Sequence, residues 1–409
     1  MAVRAKLRPV IAIVAMSVLV SVGGDAFRVA SASPDERSAA ARPCQEAPDD
    51  MPVQTGAVFS DPAGGDPTAI VRAVCSLIKQ ADAGSRIRLA HFAITGDAGM
   101  DFVDELIAAH RRDVDVQMVI DGGKRLDDPV MDKLQQELGT DESARSWVHP
   151  CSRLSPEGTT AACIGDKGQH NKFFLFSKVG GSSDVVVQSS ANVTDLNSTV
   201  FWNNAVTFVG NTDLYAGYDS YFDDMANEVE TDDYYRVVPT TMPDGEVQAH
   251  FFPRAGDDAS TDPVVEKLDD VKCGASTTIR IGAAEWDSYR IAIADRLVEL
   301  AGQGCTIYVV HAEIDDDVRN LLADTPGIEL RELRSSPDLP GNIHSKYMTV
   351  DESDSDTAAS WVLTGSHNYS ENALRRNDET LLYTDISKIH EQYEQNFAAM
   401  WQAAAPASS

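Results

Sequence analysis

The sequence predicts an α/β protein of two similar lobes, each a mixed β-sheet flanked by helices, related by an approximate two-fold axis and sharing one cleft. Three observations carry this. β-rich runs alternate with amphipathic helical stretches, and the alternation runs through the same order twice. Each pass also holds a His-x-Lys pair, followed about twenty residues later by Ser-x-Asn. The offset is 174 from His170 to His344 and 176 from Asn192 to Asn368, which a gene duplication explains most simply.

The N-terminus reads as an export signal. Arg4, Lys6 and Arg8 precede an apolar run from Val10 to Val22, and Ala30-Ser31-Ala32 supplies a small-residue cleavage site. Residues 1–32 are therefore expected to be a signal peptide and the mature protein to be secreted and soluble. An Ala/Ser/Pro-rich stretch, 33–52, is expected to be a disordered linker, with the fold beginning at Val53.

From there each element has its counterpart. A short strand at 56–59, an acidic Gly-rich turn and a helix at 68–81 are answered by 249–252 and a helix at 262–271. Strand 86–89 answers 278–281, and the helices that follow, 101–111 and 288–301, set Phe102, Val103, Leu106 and Ile107, or Ile293, Leu297 and Leu300, on one face. Buried strands at 116–120 and 307–310 lead to helices at 128–138 and 315–322. Beyond the His-x-Lys strands, Thr212-Asp213 and Thr384-Asp385 are placed to cap the last helix of each half. The lobes are predicted at 53–240 and 241–403, with a Pro/Gly-containing seam near 237–246.

Six cysteines in an exported chain suggest disulfides. Cys151 with Cys163, Cys273 with Cys305 and Cys44 with Cys75 are the expected pairs, and none of the six has metal-ligand spacing. The net charge of −30 becomes −33 without residues 1–32, which carry four positive charges and one negative. Such a surface repels polyanions, so no stable nucleic-acid partner is expected. The sequence holds no G-x-S-x-G elbow, Walker loop, H-E-x-x-H or dinucleotide fingerprint.

The chemistry sits in the paired motifs. His344, Lys346 and Asp351, with Gly365, Ser366 and Asn368, resemble the mark of the phospholipase D superfamily, His-x-Lys-(x)4-Asp followed by Gly-Ser-x-Asn. His170, Lys172, Ser190 and Asn192 match it in part, with Ser177 in place of the Asp and Ser189 in place of the Gly. The resemblance covers nearly the whole mature chain and implies the phospholipase D fold. It also implies a phosphodiesterase that uses no cofactor and no metal. One histidine attacks phosphorus and the other protonates the leaving alkoxide. Lys172, Lys346, Asn192 and Asn368 would hold the phosphoryl oxygens, with hydroxyl donors from Ser190 and Ser366. Similarity to bacterial secreted members implies His170 as nucleophile and His344 as acid/base.

In that family an acidic residue about eleven positions after the Gly-Ser-x-Asn asparagine fixes a histidine tautomer. Glu379 stands there in the second half, and the neutral Asn203 or Asn204 in the first. Asp351 is expected to be structural, paired with a basic neighbour, and Asn204 to line the substrate site. Phe92, Trp202 and Trp286 could wall a lipid but read better as core, and His367 is as apt to line the cleft as to act. Three functions follow. The first is a secreted phospholipase D acting as a monomer on glycerophospholipids at a membrane or micelle surface, with hydrolysis or transphosphatidylation. The second is a metal-independent nuclease on the same core. The third is a degenerate phosphate or lipid binder.

Overall fold

The computed structural model describes residues 42–123, 128–274, 276–334, 341–352 and 359–406. The expected signal peptide lies outside them. Of the linker expected over 33–52, residues 42–52 are described and hold ordered structure ahead of Val53, whereas 33–41 lie outside the described residues. A one-turn helix, α1 (Pro43–Glu46), is pinned by the Cys44–Cys75 disulfide, by Cys44 N–H donating to the Asp101 carboxylate at 2.7 Å, and by Lys79 on the Ala47 carbonyl at 2.6 Å. The Cys151–Cys163 and Cys273–Cys305 bonds also form as expected.

The first half runs β1 (Gly56–Ser60), α2 (Ala69–Gln80), β2 (Arg86–His91), α3 (Gly96–Arg111), β3 (Asp115–Ile120), α4 (Pro129–Leu138) and β4 (Trp147–Pro150). A small hairpin follows, β5 (Arg153–Leu154) with β6 (Ala161–Ala162), then β7 (Lys172–Val179), β8 (Ser182–Ser189), β9 (Phe201–Val209) and α5 (Thr212–Ala226). The second half runs β10 (Arg236–Met242), β11 (Gly245–Phe251), α6 (Pro263–Asp269), β12 (Thr278–Trp286), α7 (Ile291–Gly302), β13 (Thr306–Ile314), α8 (Asp316–Ala323) and β14 (Ile328–Glu332). It ends with β15 (Asn342–Ile343), β16 (Lys346–Asp351), β17 (Ser360–Gly365), α9 (Glu371–Arg375), β18 (Thr380–Thr384), α10 (Ser387–Ala403) and β19 (Ala405–Pro406). The helix α5 is capped by Asn211, which accepts from Leu214 N–H at 3.0 Å, rather than by Thr212 or Asp213; α10 has no side-chain cap.

The sheets repeat one another. The first has the order β1-β9-β8-β7-β2-β3-β4, and the second contains the matching β11-β18-β17-β16-β12-β13-β14 with β10 and β19 added at its edges. In both, the three strands linked through helices are parallel and the rest antiparallel, as crossover and hairpin connections require, apart from β15, which joins the first sheet parallel to β9. The expected seam near 237–246 is built as a β-hairpin of the second sheet, β10 with β11.

Apolar side chains form one outer core per lobe and a third between the sheets. The middle core is built on α5 and α10, whose Tyr218, Tyr221, Tyr393 and Phe397 are buried. The lobes cross over here: α5 packs on β10 and β11, and α10 on β1. Gln392 and Lys388 of α10 bond the β1 region directly, at Ala57 N–H and the Thr55 carbonyl.

Candidate active site

Each His-x-Lys histidine sits just before its strand, in an extended segment that bonds to the opposite lobe. Ile343 pairs with Trp202 and His344 N–H donates to the Trp202 carbonyl at 2.8 Å. In mirror image, Gln169 bridges Asp378 and His170 N–H donates to the Asp378 carbonyl at 3.0 Å. A residue two places along an extended strand returns to the same face. Each lysine thus turns back so that its ammonium donates to its own histidine's carbonyl, Lys346 to His344 at 2.6 Å and Lys172 to His170.

This exchange decides which partner orients which imidazole. Glu379 of the second lobe holds His170 of the first, Oε1 to Nδ1 at 2.6 Å. Asn203 of the first lobe holds His344 of the second, Oδ1 to Nδ1 at 2.8 Å. The two arrangements are built alike. Ser366 donates to the Glu379 carboxylate while accepting Thr380 N–H, and Asn377 supports Oε1 at 3.1 Å. Ser190 donates to Asn203 Oδ1 at 3.0 Å while accepting Asn204 N–H, and Asn197 accepts from Asn203 at 3.2 Å.

The electrostatics of the pairs differ. Burial lifts the Glu379 carboxyl to about 8 against the pull of Lys172, Ser366, Asn377 and Lys346. The His344 imidazole is driven well below its ordinary value, first by burial, then by Lys346, Lys172 and His170. Its amide partner offers no compensating charge. Burial also brings the Lys346 ammonium down to about 8, with Glu379 and Glu285 opposing. Lys172 and Lys346 are both buried.

Several expected roles change. Ser190 and Ser366 are fully buried and spend their hydroxyls on Asn203 and Glu379, so they orient the histidine partners rather than reach a phosphoryl oxygen. The Asn204 side chain is likewise spent within the protein. Its amide donates to Thr364 Oγ1 at 2.7 Å and to Tyr393 OH at 3.2 Å, and its oxygen accepts Lys346 N–H, tying α10 beneath the lysine. Asp351 meets the Ser360 hydroxyl at 3.4 Å, and among the described residues no lysine or arginine pairs with it. Ser177, in the matching place, accepts Arg86 N–H at 2.8 Å. Gly365 is required: its φ is +150°, and a Cβ would meet the Thr380 carbonyl at 2.1 Å. Ser189 in the other lobe instead donates to the Asn204 carbonyl at 3.2 Å.

Asn192 and Asn368 each keep a buried side-chain oxygen with no hydrogen-bond partner among the described residues. Trp202 and Trp286 are core, whereas Phe92 packs edge-on against His170 with centroids 4.7 Å apart. The sequence reading missed Phe201, stacked on His344 at 5.4 Å, and Arg290. Buried Arg290 forks onto Asp262 at 2.8 and 2.7 Å and donates to the Asn368 carbonyl at 2.8 Å and to His367 Nδ1 at 3.1 Å. His367 is therefore an acceptor behind the cleft wall, kept neutral by burial and by Arg290. Only spacing could have flagged these residues, and nothing in their local sequence does.

A family model described as "Cardiolipin synthase, PLD-like domain" matches residues 74–226 and again 273–401. The chain belongs to the phospholipase D superfamily. One matched stretch falls in each half, and members of this superfamily act on phosphodiesters. An 82-residue segment is 37% identical to the mitochondrial cardiolipin hydrolase of Xenopus tropicalis, covering 20% of this chain and 34% of that protein, so the match spans about a third of that relative. The phosphatidylserine synthase of Haemophilus influenzae superposes with a TM-score of 0.62 at 13% identity, over 89% of this chain and 91% of that one. The polyphosphate kinase of Porphyromonas gingivalis does so at 0.57 and 12% identity, over 85% of this chain and 47% of the kinase. At these identities the structural likeness is one of fold.

Proposed function

We propose that this chain is a secreted phosphodiesterase of the phospholipase D type, cleaving glycerophospholipids through a phosphohistidine. The observation that carries the reading is the pair of imidazoles held from opposite lobes, His170 by Glu379 and His344 by Asn203, beside two buried lysines. With Nδ1–H turned to Glu379, His170 keeps its Nε2 lone pair for phosphorus, and the carboxylate supports the positive charge the ring gains. As the P–N bond forms, the P–O bond to the head-group alcohol breaks, its electron pair stays on oxygen, and His344 supplies the proton. Water, or a second alcohol, then attacks phosphorus. His344 takes its proton, and the P–N bond breaks to release phosphatidic acid or a new phosphatidyl ester.

Lys172 and Lys346 balance the charge on the phosphoryl oxygens, with Asn192 and Asn368 as further donors. Both motif copies lie in one chain, which favours a monomer working at a membrane or micelle surface. The charge of −30 disfavours a nucleic-acid substrate. Three disulfides suit an oxidising compartment, and among the described residues no helix is long and apolar enough to cross a membrane.

The deciding experiment incubates purified protein with phosphatidylcholine and ethanol, where phosphatidylethanol is the expected product. Its absence alongside nicking of plasmid DNA would replace the lipid reading with a nuclease. Turnover is expected to be lost in His170→Ala and in His344→Ala, and a variant keeping a near-normal rate would remove that histidine from the mechanism.

A further inference from the structure

A cavity of about 260 Å³ opens beside His170, with Phe92, Glu285, Asn368, Asn372 and Asn377 in its walls. The phosphate machinery is duplicated, but the residues that line this cavity are not. Tyr369 N–H donates to the Glu285 carbonyl at 3.0 Å just as Val193 N–H donates to the Ala93 carbonyl at 3.1 Å. Glu285 and Ala93 are therefore equivalent places in the two lobes, and one step earlier Phe92 is matched by Ala284. A ring from one lobe and a carboxylate from the other face the same side of the cleft, and the mirrored side has two alanines.

Among the described residues no ion pair neutralises the charge there. Lys167 at the rim is taken by Glu157 at 2.6 Å. The hydrogen-bond partner of Glu285 is the neutral Asn368 amide, donating at 2.9 Å. That bond fixes the amide's orientation, because the flipped form would set two oxygens together. It leaves Asn368 Oδ1 buried, an acceptor without a donor. Lys346 is near enough to act on Glu285, but a bound phosphodiester competes for that ammonium. A carboxylate on that wall whose contact partner is a neutral amide calls for a cationic donor.

We propose that this cavity is a subsite for the polar ester arm of the diester and that Glu285 selects an arm ending in a primary ammonium over one that is neutral or anionic. The assignment rests on the phosphodiesterase reading above. A quaternary ammonium satisfies the charge but offers no N–H, and a glycerol arm offers hydroxyls but no charge.

The test measures initial rates of the purified full chain on phosphatidylethanolamine, phosphatidylcholine and phosphatidylglycerol, each in the same neutral detergent micelles. Phosphatidylethanolamine is expected to lead in kcat/KM. Glu285→Gln should cut its advantage over phosphatidylglycerol about tenfold, the worth of one charge-assisted hydrogen bond, and Glu285→Lys should reverse it. A wild-type preference for phosphatidylglycerol, or a ratio unmoved by either substitution, overturns the proposal while leaving the phosphodiesterase reading intact. Should no lipid turn over, calorimetric binding of phosphoethanolamine against glycerol phosphate decides instead. Equal affinities overturn the subsite, and tighter phosphoethanolamine binding that Glu285→Gln abolishes supports it.

Discussion

Replacing Asn203 by Asp restores on His344 the kind of partner that His170 already has, and the structure sets the size of the effect. The amide oxygen lies 2.8 Å from His344 Nδ1. A carboxylate there would place opposite charges about 4 Å apart, an attraction of about 4 kcal/mol at an effective dielectric constant near 20, or about three pKa units at 1.36 kcal/mol each. Burial takes part of this back, because Asn203 is fully buried and the mirrored Glu379 is lifted to about 8 in the same kind of setting. The net rise expected for His344 is about one to two units.

The wild-type imidazole sits well below its ordinary value, so near neutral pH it is mostly unprotonated and seldom ready to give a proton to the leaving alkoxide. As pH falls toward that value, protonation and rate should rise. Asn203→Asp should move this limb up by about one to two units and raise turnover of alkyl phosphodiesters at pH 7 about 10- to 100-fold. Nitrophenyl diesters, whose leaving group departs without a proton, should change little. The assay is the kcat pH profile of both substrates for both proteins. Equal responses from alkyl and nitrophenyl esters, or an unmoved limb, would refute the division of labour between the histidines.

Glu379→Gln should lower kcat at least about 100-fold while Tm changes little, because the amide can keep the His170 contact but not its charge; stopped-time trapping of the phosphoenzyme checks this. The Lys346 ammonium, brought down to about 8, loses its proton as pH rises through that value. KM for an anionic diester should therefore climb about tenfold per unit above pH 8, a rise that Lys346→Arg should remove. Arg290→Met leaves Asp262 buried without its partner, which should cost about 3–5 kcal/mol and lower Tm by roughly 5–10 °C, read by calorimetry.

How much of this the chain announces on its own follows from which forces act locally. Alternation of strand and helix is written in side-chain periodicity, so both lobes, their order and their equivalence were legible, as were three cysteine pairs bracketing nearby segments. His170, Lys172, His344 and Lys346 could be found because the i, i+2 geometry of an extended segment presents histidine and lysine together. The short helix at Pro43 could not, because its stability comes from a disulfide and from Asp101 far along the chain. Nor could the roles of Ser190, Ser366 and Asn204, since whether a hydroxyl or amide faces a ligand or a neighbour depends on what burial brings beside it.

By itself the sequence determined that two copies of a phosphate-handling motif exist, one with a carboxylate partner and one with an amide. Only the tertiary structure decided that the partners are exchanged. The segments before β7 and β16 pair with the opposite lobe's strand, carrying Glu379 to His170 and Asn203 to His344. Backbone pairing between distant segments leaves no periodic trace in either one, so the asymmetry of the cleft, down to Glu285 facing Ala93 across the pseudo-two-fold, becomes visible only once the lobes are packed.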